Sequence, residues 1–431
     1  MALMAMAGGT EGQNAFNVPF SQFGIGESGQ PYNMPTLFGM GGVAYSRASR
    51  NTVNPFNPAS YGAVEQESFV FDIGVNIQTS ALRKGDGGLS DAAGSVGYLA
   101  VAFPLASWWK TSAGLMPYSS VSYESVNTSS DPVSGSDVKT VYSGGGGVSQ
   151  LYWGNAFNIG KRLSVGFNLN YLFGGITRAV TYNFMGNDTS YLMDKRGQKN
   201  TQVSNLLVDL GLQYRQPLGD SYTLNMGLTV RLPREMEVED QSMVYTFVST
   251  LTQEYLIDTI FPARGESDTY RSPLEQPLAV GLGLALERNE LWQVAADFYY
   301  SPWSGLKYTE NSSYSIFGQS SIDYVPNWRV ALGAEWLGDR NASSYWRRMG
   351  FRAGVYYNKG RLALTSPENT SLDELGGGIG IALPMRKGRS VLNLSMGYSS
   401  FGNIDILRRD CFTVGISVGS CERWFVKRKY N

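Results

Sequence analysis

The stretch LSVGFNLNYLFG, residues 163–174, places a large apolar side chain at every second position: Leu163, Val165, Phe167, Leu169, Tyr171 and Phe173. Ser164, Gly166, Asn168 and Asn170 stand between them. Period two belongs to a β-strand, whose side chains point alternately to opposite faces. One face of this strand is greasy along its whole length while the other is small and polar. A soluble sheet with one buried face meets that demand. So does a membrane barrel, with lipid outside and a polar lumen inside.

The same alternation recurs through the chain. Residues 69–77, 206–214, 222–232, 278–286, 292–300, 330–336, 351–357, 392–398 and 412–418 repeat it, and 96–105, 111–124, 139–153 and 374–384 carry weaker versions. The total is about fourteen strands, an even number as single-chain bacterial barrels require. The connections separate the two environments. Short links near 107–110, 158–162, 217–221, 287–290 and 384–389 alternate with long ones at 79–95, 125–138, 174–200, 233–275 and 302–325. A hairpin barrel sorts its loops this way, with tight turns on the periplasmic rim and longer loops outside. A soluble sandwich has no reason to. Trp108, Trp109, Trp153, Trp292, Trp336, Trp346 and Trp424 fall at or beside the short-turn rim, as an interfacial aromatic girdle does, while Trp303 and Trp328 flank a long loop. The expected fold is all-β: a transmembrane antiparallel β-barrel of about fourteen strands over residues 67–420.

Composition excludes several alternatives. No apolar run approaches the ~18 residues of a membrane-spanning helix. The formal net charge of −1 offers no nucleic-acid footprint. The chain contains no histidine, which removes Ser–His and Cys–His catalysis and His-ligated zinc or haem. No enzyme activity, cofactor or metal is expected. Cys411 and Cys421, if they share one strand, lie roughly 30 Å apart, beyond disulfide reach, unless the chain doubles back near Gly419. GIGESG at 24–29 matches a dinucleotide-loop pattern, but Pro31 and Pro35 stand where its helix belongs. GISVG at 415–419 matches a nucleophile-elbow pattern, yet Ser417 sits on the small face of an alternating strand with no histidine to activate it. The glycine run 144–147 lies in a strand, where it relieves crowding or allows a kink.

Outside the strands, residues 1–9 read as the remnant of a secretory signal. Residues 10–66 do not alternate. They are rich in Gly, Pro, Asn and Ser, with Phe16, Phe20, Phe23, Tyr32, Phe38, Tyr45 and Phe56 among them. So long an irregular, aromatic-rich segment needs something to pack inside. A hatch in the barrel lumen supplies that. Asp72, Asp209, Arg215, Arg231, Glu287, Asp297, Arg329, Glu335 and Arg352 all fall on the polar, lumen-facing parity. A charge on the lipid face near the midplane costs about 2–4 kcal/mol. These nine can form ion pairs, hold the hatch or gate a channel. Residues 421–431 carry Arg423, Lys427, Arg428 and Lys429, a basic tail expected on the periplasmic side.

NPFNPASYG at 54–62, with Asn57-Pro58-Ala59 just before the first strand, resembles the Asn-Pro-Ala element of the long-chain fatty-acid transporter (FadL-type) family. PLAVGLGLALERNELWQVAADFYYSPWSG at 277–305, PNWRVALGAEW at 326–336 and MGFRAGVYYNKG at 349–360 resemble that family too. The resemblance implies a fourteen-stranded barrel in the outer membrane of a Gram-negative bacterium, both termini periplasmic, with an N-terminal hatch anchored by Asn57, Pro58 and Ala59. It also implies passive passage of small hydrophobic molecules, with outer-membrane lipid and a hydrophobic ligand as partners. The glycine-rich strands and the basic WFVKRKYN ending look like a divergent branch, which includes the type IX secretion shuttle barrel and accessory barrels of outer-membrane assembly complexes. That branch implies a different role, as a shuttle or accessory barrel in a secretion or assembly complex, with protein partners held by the extracellular loops or the basic tail.

Overall fold

The structure is a computed structural model that describes residues 18–22, 24–28, 34–84, 87–130, 137–185, 193–249, 254–262, 267–288, 291–303, 322–339, 342–364, 370–385, 390–403 and 407–423. Residues 1–9, expected from the sequence to be the remnant of a secretory signal, and the basic residues of the tail beyond Arg423 lie outside these residues.

Fourteen strands close into one antiparallel barrel. They are β1 (Ser68–Lys84), β2 (Gly87–Pro104), β3 (Trp109–Ser130), β4 (Asp137–Ile159), β5 (Leu163–Met185) and β6 (Asp194–Leu218). Next come β7 (Tyr222–Arg231, continued by Arg234–Ser249) and β8 (Thr269–Gln276, continued by Ala279–Arg288). The remainder are β9 (Trp292–Ser301), β10 (Asn327–Trp336), β11 (Gly350–Lys359), β12 (Glu374–Met385), β13 (Ser390–Asn403) and β14 (Leu407–Arg423). Closure is made by β1 against β14, in register from Ser68 opposite Arg423 to Arg83 opposite Arg408. The breaks in β7 and β8 fall at Pro233 and Pro277, where proline has no N–H for the ladder.

The alternation resolves into an outer and an inner face. Leu210, Leu282, Leu284, Val294, Leu332, Val355 and Ile379 are all more than two-fifths exposed. Their strand neighbours Gly211, Gly281, Gly283, Ala295, Ala331, Gly333 and Gly380 are buried. An exposed apolar band around a closed sheet is the lipid-facing surface of a membrane barrel. No described helix is long and apolar enough to cross a membrane; the crossing is made by strands.

The sequence reading of long connections needs correction. Residues 79–95 are the ends of β1 and β2, and much of 125–138, 174–200 and 233–275 continues the sheet as β3 to β8. Above the lipid the outer face is polar, while the inner face stays buried and mixes Ile176, Val203 and Val238 with Lys199, Asp240 and Ser242, so the apolar outer band lapses while the ladder runs on. Most of the 302–325 connection lies outside the described residues.

Among the described residues the ladder between β2 and β3 opens into a seam. β2 and β3 pair only from Leu99–Leu115 to Pro104–Lys110. Further out β3 shifts register between Pro117 and Ser119, and no β2–β3 pairing extends there among the described residues.

Candidate functional site

The lumen is occupied by the chain's own N-terminal segment. A short helix, α1 (Pro35–Phe38), is buried throughout and followed by Gly39 to Gly42. A 3₁₀ turn covers Pro58–Ala63, and Asn57 caps it, its Oδ1 accepting from the Ala59 N–H at 3.0 Å. A short polar side chain at that cap satisfies a donor the turn leaves open. Pro58 at the first position has no N–H to satisfy.

Asn57 also joins the segment to the wall. Its Nδ2 donates to the Tyr45 carbonyl at 2.6 Å and to the Leu212 carbonyl of β6 at 3.3 Å. Side-chain amides of the wall serve further carbonyls of the segment. Asn168 Nδ2 donates to the Pro55 carbonyl at 2.8 Å, and Gln213 Nε2 to the Tyr45 carbonyl at 3.0 Å. Tyr61 donates its hydroxyl to Asn168 Oδ1 at 3.0 Å. Irregular backbone inside a barrel has no ladder, so its carbonyls and amides need partners like these.

The wall glycines explain how close the segment sits. A Cβ at Gly354 would collide with the backbone of Met40 and Gly41. One at Gly227 would strike the Tyr45 carbonyl, one at Gly378 the Phe38 carbonyl, and one at Gly211 the Asn57 and Pro58 side chains. The small face of these strands is therefore small because another backbone lies against it. Gly42, at φ 74°, meets the guanidinium of Arg329, which fills the space a side chain would need.

The charged positions separate into three groups. Five touch the segment or the cluster that holds it. Asp297 Oδ2 accepts from the Ala44 and Tyr45 N–H groups at 2.6 and 2.9 Å. Arg329 donates to the Gly41 and Gly42 carbonyls at 2.6 and 3.2 Å. Asp72 accepts from the Val53 N–H at 3.3 Å and from the Tyr98 hydroxyl at 2.7 Å. Glu335 accepts from Arg47 at 3.2 Å, from Arg352 Nε at 2.5 Å and from Gln293 at 2.6 Å, and Arg352 lies with it in a single buried cluster. The second group is the pair of Arg231 with Asp209, bidentate at 2.7 and 2.9 Å, with Asn170 as a further donor at 2.9 Å. The third, Arg215 and Glu287, meets only around Asn225 at the short-turn end, away from the segment.

Sequence reasoning missed Arg47, Tyr61, Asn168, Gln213 and Gln293. Isolated polar residues carry no local pattern, and their roles exist only once strands and segment meet. It also missed Glu27 and Arg409, which pair bidentately at 2.7 and 2.8 Å. Burial alone would raise the Glu27 carboxyl, but the Arg409 guanidinium beside it holds it below the ordinary range. The lumen glycines did carry a signal, since they recur with period two on one face.

Beside the segment lies a cavity of about 190 Å³, bordered by Met34, Phe56, Met116, Tyr118, Tyr299 and the Asp209–Arg231 pair. At the seam, the open edge of β3 is taken by the N-terminal segment from within: Glu27 and Ser28 pair with Ser120 and Ser119, and the Val18 N–H donates to the Ser122 carbonyl at 2.6 Å.

A closed fourteen-stranded wall with a lipid-facing band and its own N-terminal segment in the lumen defines an outer-membrane barrel of the FadL architecture. The chain belongs to the family described as BamG, which it matches over residues 1–431. Solved structures with the same fold include the CymD monoaromatic hydrocarbon channel, at 15% identity and TM-score 0.57, covering 93% of this chain and 99% of the channel. The toluene transporter TbuX of Ralstonia pickettii follows at 14% identity and TM-score 0.51, over 90% and 97% of the two chains. A FadL homologue of Pseudomonas aeruginosa matches at 12% identity and TM-score 0.54, over 91% and 98%. No curated protein matches.

Proposed function

We propose that the protein is a plugged accessory barrel of an outer-membrane assembly complex, its N-terminal hatch serving as a fixed structural core and not as a gate that opens for cargo. The observation that carries this reading is the seating of residues 34–66. Their backbone rests directly on wall glycines, and buried charges, Glu335 with Arg47 and Arg352 above all, fasten segment to wall. Releasing it would break several buried polar contacts at once, each costing about 1–3 kcal/mol when a partner is left unsatisfied. Membership in the BamG family, across the whole chain, is consistent with such a role. Both ends of the barrel chain, Ser68 and Arg423, lie on the short-turn rim, which this reading places in the periplasm. Asn57-Pro58-Ala59 then anchors the hatch against β5 and β6, a few residues before the chain enters β1.

The test is depletion in the native host. Loss of this barrel should lower the amounts of other folded outer-membrane barrels, and purification in mild detergent should return it in a fixed ratio with a barrel-inserting protein. Unchanged levels of other barrels, with slower uptake of hydrophobic compounds, would reject the proposal.

One observation favours a second reading, passage of small hydrophobic molecules. The cavity beside the hatch approaches the seam and has aromatic and methionine walls. Its volume, about 190 Å³, exceeds the ~150 Å³ of an engineered cavity that takes benzene. In that reading a single-ring compound copurifies with the protein and is lost when Met116 is replaced by a charged residue.

A further inference from the structure

The part of the sheet that rises beyond the membrane ends in an edge that no described strand covers. β6 carries its last strongly exposed apolar residue of the lipid band at Leu206, and Ser204, Gln202 and Asn200 follow on the same parity. The next pairs reach Asp194 opposite Phe247. At about 2.5 Å of height per tilted residue, this end stands roughly 20–30 Å beyond the lipid. There β7 pairs on its other side with a hairpin strand, Glu254–Phe261. Among the described residues no further strand pairs with that hairpin strand.

Its side chains are unusual for such a place. Leu256, Ile257 and Ile260 are exposed by 57%, 49% and 44%, with Val248 of β7 beside them at 43%. Every residue from Glu254 to Ile260 is exposed, so neither face of the strand is buried. Register shifts leave Ile257 and Ile260 without a residue opposite them on β7. Lipid explains the apolar band lower down, but not a patch this far outside it. An exposed apolar edge strand in water is a template for another strand.

Charge sets what kind of strand. From Arg234 to Arg271 the chain carries eight acidic and three basic residues. Glu235, Glu237 and Glu239 stand exposed in a row on β7, and Glu254 and Asp258 lie on the hairpin strand itself. Three of these carboxylates are matched within the protein, Glu237 with Arg271 at 3.6 Å, Asp240 with Lys199 at 3.3 Å and Glu254 with Arg196 at 2.8 Å. The balance of charge around the edge is acidic, and the strand itself presents Leu256, Ile257 and Ile260 between Glu254 and Asp258.

We propose that the hairpin strand Glu254–Phe261 is a docking site outside the membrane for an extended segment of a partner protein that alternates aliphatic and basic residues and adds to the sheet by backbone hydrogen bonds. Main-chain pairing supplies affinity in this mode and alternate side chains supply specificity. The carboxylates speed the encounter and select the sign of the partner. The inference stands on the exposed edge and its charge, and does not depend on whether the lumen is plugged or conducting.

The test uses the full-length protein in detergent and a fluorescent twelve-residue peptide alternating valine and lysine, read by anisotropy. Saturable binding is expected, weakened at least tenfold by methylating every second backbone amide of the peptide, and weakened by raised salt. A valine–glutamate peptide should not bind. Leu256→Asp together with Ile260→Asp should abolish binding while the barrel keeps its heat-modifiable migration on gels. The methylated peptide tests the same point without altering the protein. No binding of the valine–lysine peptide overturns the proposal. Equal binding of the methylated peptide reduces it to charge attraction and also overturns it. Self-association of the protein that the double substitution abolishes would assign the edge to a second copy, and so reject a separate partner.

Discussion

Glu335→Ala tests how firmly the N-terminal segment is held. The carboxylate lies on β10 with its side chain 1% exposed. It accepts from Arg47 of the segment at 3.2 Å, from Arg352 of β11 at 2.5 Å and from Gln293 of β9 at 2.6 Å. Its removal leaves two buried guanidinium groups without the carboxylate that both contact. Breaking a buried pair from one side costs about 3–5 kcal/mol. The two losses do not simply double here, because each cation keeps a second acceptor: Arg47 the Thr36 carbonyl at 2.8 Å, and Arg352 the Asn393 side chain at 2.9 Å. The expected destabilisation is therefore about 3–4 kcal/mol, roughly a hundred- to a thousandfold in the folding equilibrium. Urea unfolding in lipid vesicles, followed by tryptophan fluorescence and heat-modifiable migration, measures it. The triple change Arg47→Met, Glu335→Leu, Arg352→Met removes all three charges together and should recover most of the loss, since a buried triad replaced by apolar groups is often neutral. A loss below about 1 kcal/mol for Glu335→Ala, or no recovery in the triple variant, would refute the claim that these charges fasten segment to wall.

Leu210→Arg, on the lipid face, should lower stability or assembly by about 2–4 kcal/mol if it sits near the midplane; Gln213→Arg should cost less, because the longer cation still reaches the Tyr45 and Arg47 carbonyls that Gln213 serves, and equal losses would mean the faces are misassigned. Gly354→Val forces a side chain into the backbone of Met40 and Gly41 and should cost about 1–3 kcal/mol or displace the segment, read by protease sensitivity of residues 34–50. The Glu27–Arg409 pair sets a pH dependence: a carboxylate held below its ordinary pKa contributes stability above the unfolded value and loses it as pH falls through the folded one. Hydrogen exchange around residues 24–28 should accelerate on acidification through that range, and Glu27→Gln should remove the dependence.

Much of this was legible in the sequence, for physical reasons. Lipid and lumen impose period two wherever a strand crosses the membrane, so segments such as Leu163–Phe173 announce themselves. Proline and the short turns mark the rim. The long connections misled because outside the membrane the outer face turns polar and the buried inner face mixes Val203, Met236 and Val238 with Lys199, Asp240 and Ser242, a pattern that a search for an apolar face passes over. Inner-face charges could be placed by parity, but parity cannot say which of them meets the N-terminal segment. Asp297 and Arg329 do, whereas Arg215 and Glu287 share that face and stop at the rim. The glycines were read as relief from crowding only at 144–147. There, Gly144 does lie under the Tyr123 ring and Gly146 adopts φ 108°. Elsewhere the crowding comes from a backbone distant in sequence, which the strands themselves do not reveal.

The central claim is that residues of the N-terminal segment fill and close the barrel. Single-channel recording in planar bilayers tests it directly, comparing the full-length protein with a chain lacking residues 10–50, each checked for heat-modifiable migration and β-type circular dichroism. The account predicts a nearly silent full-length protein and a large, steady conductance from the truncated barrel. A folded truncation that conducts no better than the full chain would contradict it.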